Sequence, residues 1–241
     1  GAIVRTANTL VSSFDSVHGG FGRAPKFPRS HNLEFLARYY RRSNDRSALK
    51  AYVTTLSKMA AGGMYDQVGG GFHRYSVDAK WLVPHFEKML YDNAQLVVAY
   101  LEGFQLTGRG DFSRVATETL DYVAREMTFS GGGFYSATDA DSPALNGHDE
   151  EGLFFTWTPQ EIDNVLKDKT QSLLVKNYYG VTARGNFEGR SILNVTQPLD
   201  HIARALDLSL NEAMDLVDDA KTKLYDVRLT RKPPILDDKI I

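Results

Sequence analysis

Cysteine is absent from the 241 residues, which excludes a disulfide framework, thiolate-ligated zinc, an iron–sulfur cluster and a thiol nucleophile. An excess of either charge is also missing. There are 28 Lys+Arg against 30 Asp+Glu, a formal net charge of −2, so no basic field draws nucleic acid or an anionic membrane. No apolar run approaches the roughly 20 residues of a membrane span, and the N-terminal segment is amphipathic rather than a charged-then-apolar leader. The six histidines, at 18, 31, 73, 85, 148 and 201, have no metal-ligand spacing, so neither a metal nor another cofactor is expected. Phosphate-loop, dinucleotide, Gly-x-Ser-x-Gly and His-Glu-x-x-His signatures are lacking too. These absences leave a soluble chain suited to a reducing, cytoplasmic compartment, with no nucleic-acid or membrane partner. Its length allows one large domain or two small ones.

Helical periodicity dominates what is present. Apolar residues recur at three- and four-residue steps through Ile3–Phe14, Leu33–Tyr40, Leu49–Ala60, Phe86–Phe104 and Val115–Met127, as on a helix with one buried face. Gly62-Gly63 and Gly108 end two of these runs, and Asp111 reads as a helix cap. Thr158-Pro-Gln-Glu161 and Ser209-Leu-Asn-Glu212 are capping boxes. Eight or nine helices are expected. The strand signals are short: Phe72–Val77, Gly133–Ala137 paired with Leu153–Trp157, and Ser191–Val195. The stretch beginning Arg231-Lys-Pro-Pro reads as a linker-like tail.

Three turns organise the chain: His18-Gly-Gly-Phe-Gly-Arg23, Gly69-Gly-Gly-Phe-His-Arg74 and Gly131-Gly-Gly-Phe-Tyr135. Each follows a helix, and a spacing of roughly 50 to 60 residues suggests an array of helical hairpins. Hairpins of this kind can close into a double ring, an (α/α) toroid, whose loops at one end line a shared funnel.

The densest polar-aromatic stretch runs from Tyr65 to Asn93 and includes Asp66, Arg74, Tyr75, Trp81, His85 and Glu87. Pro84 suits a first helical turn, which sets His85 at a helix N-terminus. There the dipole disfavours imidazolium and leaves a neutral proton acceptor. Lys88 and Asp92 are spaced to pair along that helix. A second acidic cluster, Asp139-Ala-Asp141 and Asp149-Glu-Glu151, fails as a calcium loop because Pro143 and Ala144 stand where a ligand and a glycine are needed. It supplies paired carboxylates of the kind glycoside chemistry uses. The plainer alternative is a solvated hairpin.

The segments Gly69-Gly-Gly-Phe-His-Arg-Tyr-Ser76 and Trp81-Leu-Val-Pro-His-Phe-Glu-Lys-Met-Leu-Tyr-Asp-Asn93 closely resemble a known family. It is that of the thioredoxin-domain-containing proteins related to the spermatogenesis-associated thioredoxin-like protein. Gly20–Pro28, Gly132–Ser142, Glu151–Trp157, Asn186–Gly189 and Asp237–Lys239 extend the match over essentially the whole chain. The resemblance implies a thioredoxin-like domain followed by a six-hairpin glycosidase-like (α/α) toroid, a superfamily that includes sugar epimerases and uronyl hydrolases. The thioredoxin-like part is missing here, and the family pattern continues beyond Asp237-Asp-Lys-Ile-Ile241. Residues 1–241 are therefore expected to form a mainly α, partial toroid with short β-hairpins in its loops, able to self-associate through an open ring edge.

The functional expectation is a domain that binds or processes a sugar by hydrolase- or epimerase-type proton transfer. His85, Glu87, Asp139 and Asp141 are the candidates to move protons. Arg23, Asp66 and Arg74 are expected to hydrogen-bond the sugar, and Tyr75, Trp81 and Tyr135 to stack on it. The rival is a non-catalytic scaffold presenting the thioredoxin-like domain to protein partners.

Overall fold

The computed structural model describes residues 1–144 and 148–241. Among them are nine helices: α1 (Ala2–Ser13), α2 (Ser30–Ser43), α3 (Arg46–Ala61), α4 (Leu90–Thr107), α5 (Gly110–Glu126), α6 (Pro159–Val165), α7 (Lys169–Tyr178), α8 (Leu199–Ala205) and α9 (Leu210–Arg228). The strands are short: β1 (Tyr75–Ser76), β2 (Pro84–His85), β3 (Lys88–Met89), β4 (Tyr135–Thr138), β5 (Asp141–Pro143), β6 (Asp149–Glu151) and β7 (Leu236–Ile240). No described helix is long and apolar enough to cross a membrane.

Helix ends follow local chemistry. Thr158 and Ser209 each cap the third N–H of their helix while Glu161 and Glu212 return the bond. Gly62 closes α3, and Gly108, left-handed at φ 70°, closes α4. Asp111 is not the cap expected of it. Arg109 takes that position, and Asp111 sits in the first turn of α5, 2.5 Å from the Arg109 guanidinium.

The apolar stripes meet in two large cores, beside a smaller cluster of Phe86, Ala140 and Ile192. Leu36, Tyr52, Leu56, Phe72, Trp81, Leu96 and Tyr100 fill the space among α1–α5. Trp157, Ile162, Leu174, Val217 and Leu224 fill that among α6–α9. A buried ion cluster joins them: Asp66 accepts from Arg228 Nη1 at 2.8 and 2.9 Å and from Lys88 Nζ at 2.9 Å.

The repeat is physical. The phenylalanine of each Gly-rich turn bridges back to the residue closing the preceding segment: Phe21 to Phe14, Phe72 to Tyr65, Phe134 to Thr128. In the first two turns an aspartate caps the loop. Asp15 accepts the N–H groups of Val17 and His18, and Asp66 those of Val68 and Gly69. A buried lysine then binds that carboxylate together with a turn carbonyl: Lys26 takes Asp15 and Gly19, Lys88 takes Asp66 and Gly70. Phe129 stands at the aspartate's place in the third turn, which has no such lysine among the described residues. Gly20 (φ 79°) and Gly70 (φ 75°) are obligatory, since a Cβ would lie 2.5 Å from the Trp81 ring and from the Glu118 carbonyl respectively. Bridges from Lys26 to Ser76 and from Lys88 to Thr138 tie the three turns together at one end of the helices.

Three local expectations change. Residues 84–85 are a strand paired with Tyr75–Ser76, and α4 begins only at Leu90. Gly133–Ala137 does not pair with Leu153–Trp157; β4 lies between β3 and β7, and Trp157 instead bridges Ser191 of the expected Ser191–Val195 strand. The expected tail supplies β7, which hydrogen-bonds to β4. The acidic cluster is a hairpin, with Asp141 opposite Glu151 and Pro143 opposite Asp149.

Candidate functional site

The β1–β2 hairpin sets Tyr75 opposite His85, and their rings stack at 5.1 Å. Phe27, which is 43% exposed, stacks on the other side of Tyr75 at 4.8 Å. His85 ends this row of rings with its two nitrogens between carboxylates: Nδ1 is 2.8 Å from Glu151 Oε1, and Nε2 is 3.9 Å from Glu87 Oε2. Glu87 is in turn held by Arg74 at 2.7 Å.

His85 begins no helix, so no helix dipole acts on it; Glu151 instead fixes the orientation of its ring. A carboxylate accepts hydrogen bonds, so the 2.8 Å contact makes Nδ1 the donor. In the neutral imidazole the lone pair is then on Nε2, on the Glu87 side. Sequence reasoning saw Glu151 in an acidic run and in a segment of the family resemblance, not as the partner of His85.

The surrounding carboxyls are not equivalent. Burial raises Asp92, in the first turn of α4, to about 6; Arg74 opposes the rise and Glu87 adds to it. Its Oδ2 is buried without a hydrogen-bond partner. Partial desolvation and then the charges of Asp139, Glu151 and Asp149 raise Asp141. The Glu87 hydrogen bond holds the Arg74 guanidinium above its ordinary range.

Of the residues expected from the sequence, His85, Glu87, Arg74 and Tyr75 are brought together. Asp141 joins them across the hairpin from Glu151, while Asp139 is exposed and bonded to the Ala140 N–H at 2.6 Å. Three others are employed elsewhere. Trp81 is 0% exposed and donates its indole N–H to the His18 carbonyl at 2.9 Å, so it offers no face to a sugar. Asp66 is buried in its ion cluster; desolvation pushes its carboxyl up, but Arg228 and Lys88 outweigh that and hold it well below the usual range. Tyr135 packs edge-on against Phe129 at 5.9 Å. Arg23 is exposed on the first turn. Lys88, expected to pair with Asp92, points inward to Asp66 and lies 4.1 Å from the centre of the Tyr122 ring. His73 is also interior. Burial, reinforced by Lys88, lowers it to about 3, and Nδ1 contacts the Phe86 carbonyl at 2.8 Å. Phe27 was not anticipated, though its flanking proline gave a faint signal; Asp92 was read from the sequence as a partner for Lys88, not as an acid of this site.

The helical pairs, the turns gathered at one end and the small peripheral sheets define an (α/α) toroid fold of the six-hairpin glycosidase-like type. Two solved structures share it: a sugar epimerase from a ruminal bacterium (TM-score 0.51, 13% identity, 99% of this chain and 75% of that one) and cellobiose 2-epimerase from Bacillus thermoamylovorans (TM-score 0.51, 13% identity, 95% and 69%). No family model matches the chain.

Throughout its length the chain is homologous to a segment of spermatogenesis-associated protein 20. It is 40% identical to the human protein, covering 98% of this chain and 33% of that one. It is also 37% identical to the uncharacterized protein B0495.5 of Caenorhabditis elegans, covering 95% and 35%. The chain thus spans about a third of the length of the curated relatives it matches, and the resemblance read from the motifs is borne out.

Proposed function

We propose that the loop end of this toroid is a sugar-processing site in which His85 accepts a proton through Nε2, oriented by Glu151 and backed by Glu87. The observation that carries the reading is the row Phe27–Tyr75–His85 ending between two carboxylates. Tyr75 is covered by its two neighbours, and the outer face of the exposed Phe27 suits the C–H face of a sugar ring; the adjoining base and acids suit proton transfer at a carbon or a glycosidic oxygen. Asp141 and Asp92, both raised toward the neutral acid, are the groups able to return a proton. The likeness to epimerases supports the fold on which such a site would sit, not the reaction.

The test is proton NMR of the full chain with reducing sugars and disaccharides in D2O. An epimerase exchanges the proton next to the carbonyl for deuterium and gives new anomeric signals; a hydrolase releases a reducing end. His85→Ala and Glu151→Gln should abolish either signal without unfolding the chain. If wild type gives neither exchange nor cleavage with any sugar, the non-catalytic scaffold reading takes its place. The withdrawal of Trp81 and Asp66 into the interior favours that alternative.

A further inference from the structure

α2 and α4 lie side by side, and the groove between them uses none of the residues discussed so far as sugar ligands. Its volume is about 230 Å³, and its lining includes His31, Glu34, Gln95, Val98, Ala99 and Glu102. The polar lining is unevenly satisfied. Glu34 is held by Arg38 one turn along its helix. Glu102 Oε1 lies 3.8 Å from Arg41, while Oε2 of the same carboxylate is buried and accepts no hydrogen bond. The side chains of His31 and Gln95 make no hydrogen bond among the described residues. A buried acceptor left open is costly until a donor reaches it.

The groove begins where the His85 cluster ends. Arg74, the partner of Glu87, also interacts with the Tyr91 hydroxyl, and Tyr91 precedes Gln95 by one turn of α4. Phe27, the outer ring of the aromatic row, lies just before Ser30, where α2 starts.

Resting on the sugar-processing reading above, we propose that this groove seats the ring of an uncharged sugar and selects against sugar acids and sugar phosphates. Hydroxyl groups are suitable donors to the Glu102 carboxylate that lines the groove. Gln95 can both give and accept a hydrogen bond, and Val98 and Ala99 offer an apolar floor for a C–H face. The described lining residues include two carboxylates, Glu34 and Glu102, and no lysine or arginine; Arg38 and Arg41 already face those carboxylates, so a ligand carboxylate or phosphate would meet like charge. Specificity therefore comes from repulsion as well as fit.

Saturation-transfer NMR and calorimetry on the full chain, with glucose, mannose, glucuronate and glucose 6-phosphate as probes, test this. Expected are binding of the neutral sugars, at least tenfold weaker binding of the two anions, and a tenfold or greater loss for Gln95→Leu and Glu102→Gln. Exposed His31→Ala serves as a third variant that leaves the core intact. Glucuronate bound as well as glucose, or neutral sugars bound within twofold by all three variants, overturns the proposal. If in the latter case His85→Ala alone abolishes binding, the His85 site stands without the groove. If the groove variants weaken binding and His85→Ala does not, the groove stands and the His85 reading falls. Binding of none of the four probes removes both.

Discussion

Asp92 is a carboxyl whose ionisation the fold opposes. Its carboxyl rises from 3.8 to about 6 because burial disfavours the charge and Glu87 repels it, with Arg74 in partial compensation. At about 1.4 kcal/mol per unit the ceiling is about 3 kcal/mol. Asp92 keeps some solvent contact, so screening reduces the expected figure to about 1–2 kcal/mol. The sign follows from linkage. Below about pH 3.8 both folded and unfolded chains carry the proton and there is no cost; between 3.8 and 6 only the unfolded chain releases it, so stability is lost as pH rises; above 6 the full cost remains. Asp92→Asn removes the ionisation. Urea unfolding followed by the fluorescence of Trp81 and Trp157, both fully buried, should find the variant about 1–2 kcal/mol more stable than wild type at pH 7.5. The difference should close toward zero near pH 3.5. A difference that does not change with pH would refute the reasoning. So would a destabilised variant at pH 7.5, since that would mean an ionised Asp92 bound productively to Arg74.

Two further substitutions probe the scaffold beneath the site. Asp66→Asn leaves Lys88 and Arg228 facing each other in the interior without their counter-ion, and denaturant unfolding at neutral pH should show a loss of about 3–5 kcal/mol; a loss under 1 kcal/mol would mean that the cluster does not join the two cores. Gly70→Ala forces a side chain into left-handed backbone and against the Glu118 carbonyl 2.5 Å away. It should cost at least about 2 kcal/mol and lower Tm by several degrees, whereas Gly132→Ala, also at positive φ but with nothing within 4 Å of the added Cβ, should cost less.

Most of the helices and their caps were legible because their causes lie within a few residues. The Thr158–Glu161 and Ser209–Glu212 boxes close over one turn, and Gly108 stops α4 through its left-handed backbone. The three Gly-Gly-Phe turns were visible as a repeat. The aspartate and lysine that pin two of them were not recognised, because Lys88 is remote in sequence from the turn it serves.

At the site, local reasoning chose His85, Glu87, Arg74 and Tyr75, which do assemble, but gave the wrong cause. Pro84 fits a helix start by its fixed φ, yet pairing with Ser76 holds it in a strand. Trp81 and Asp66 have the residue types of a sugar site and were buried by the packing of distant elements.

By itself, the sequence determined the helical class, the repeat, the helix ends and the polar-aromatic segment around His85, since each is written in contacts between near neighbours or in a recurring motif. Tertiary structure alone decided which polar groups stay available. Glu151 reaches His85 from 66 residues away, and Arg228 takes Asp66 into the interior from 162 residues away. Burial and charge compensation depend on what the whole chain brings alongside a residue, and no local pattern of apolar and polar positions carries that information.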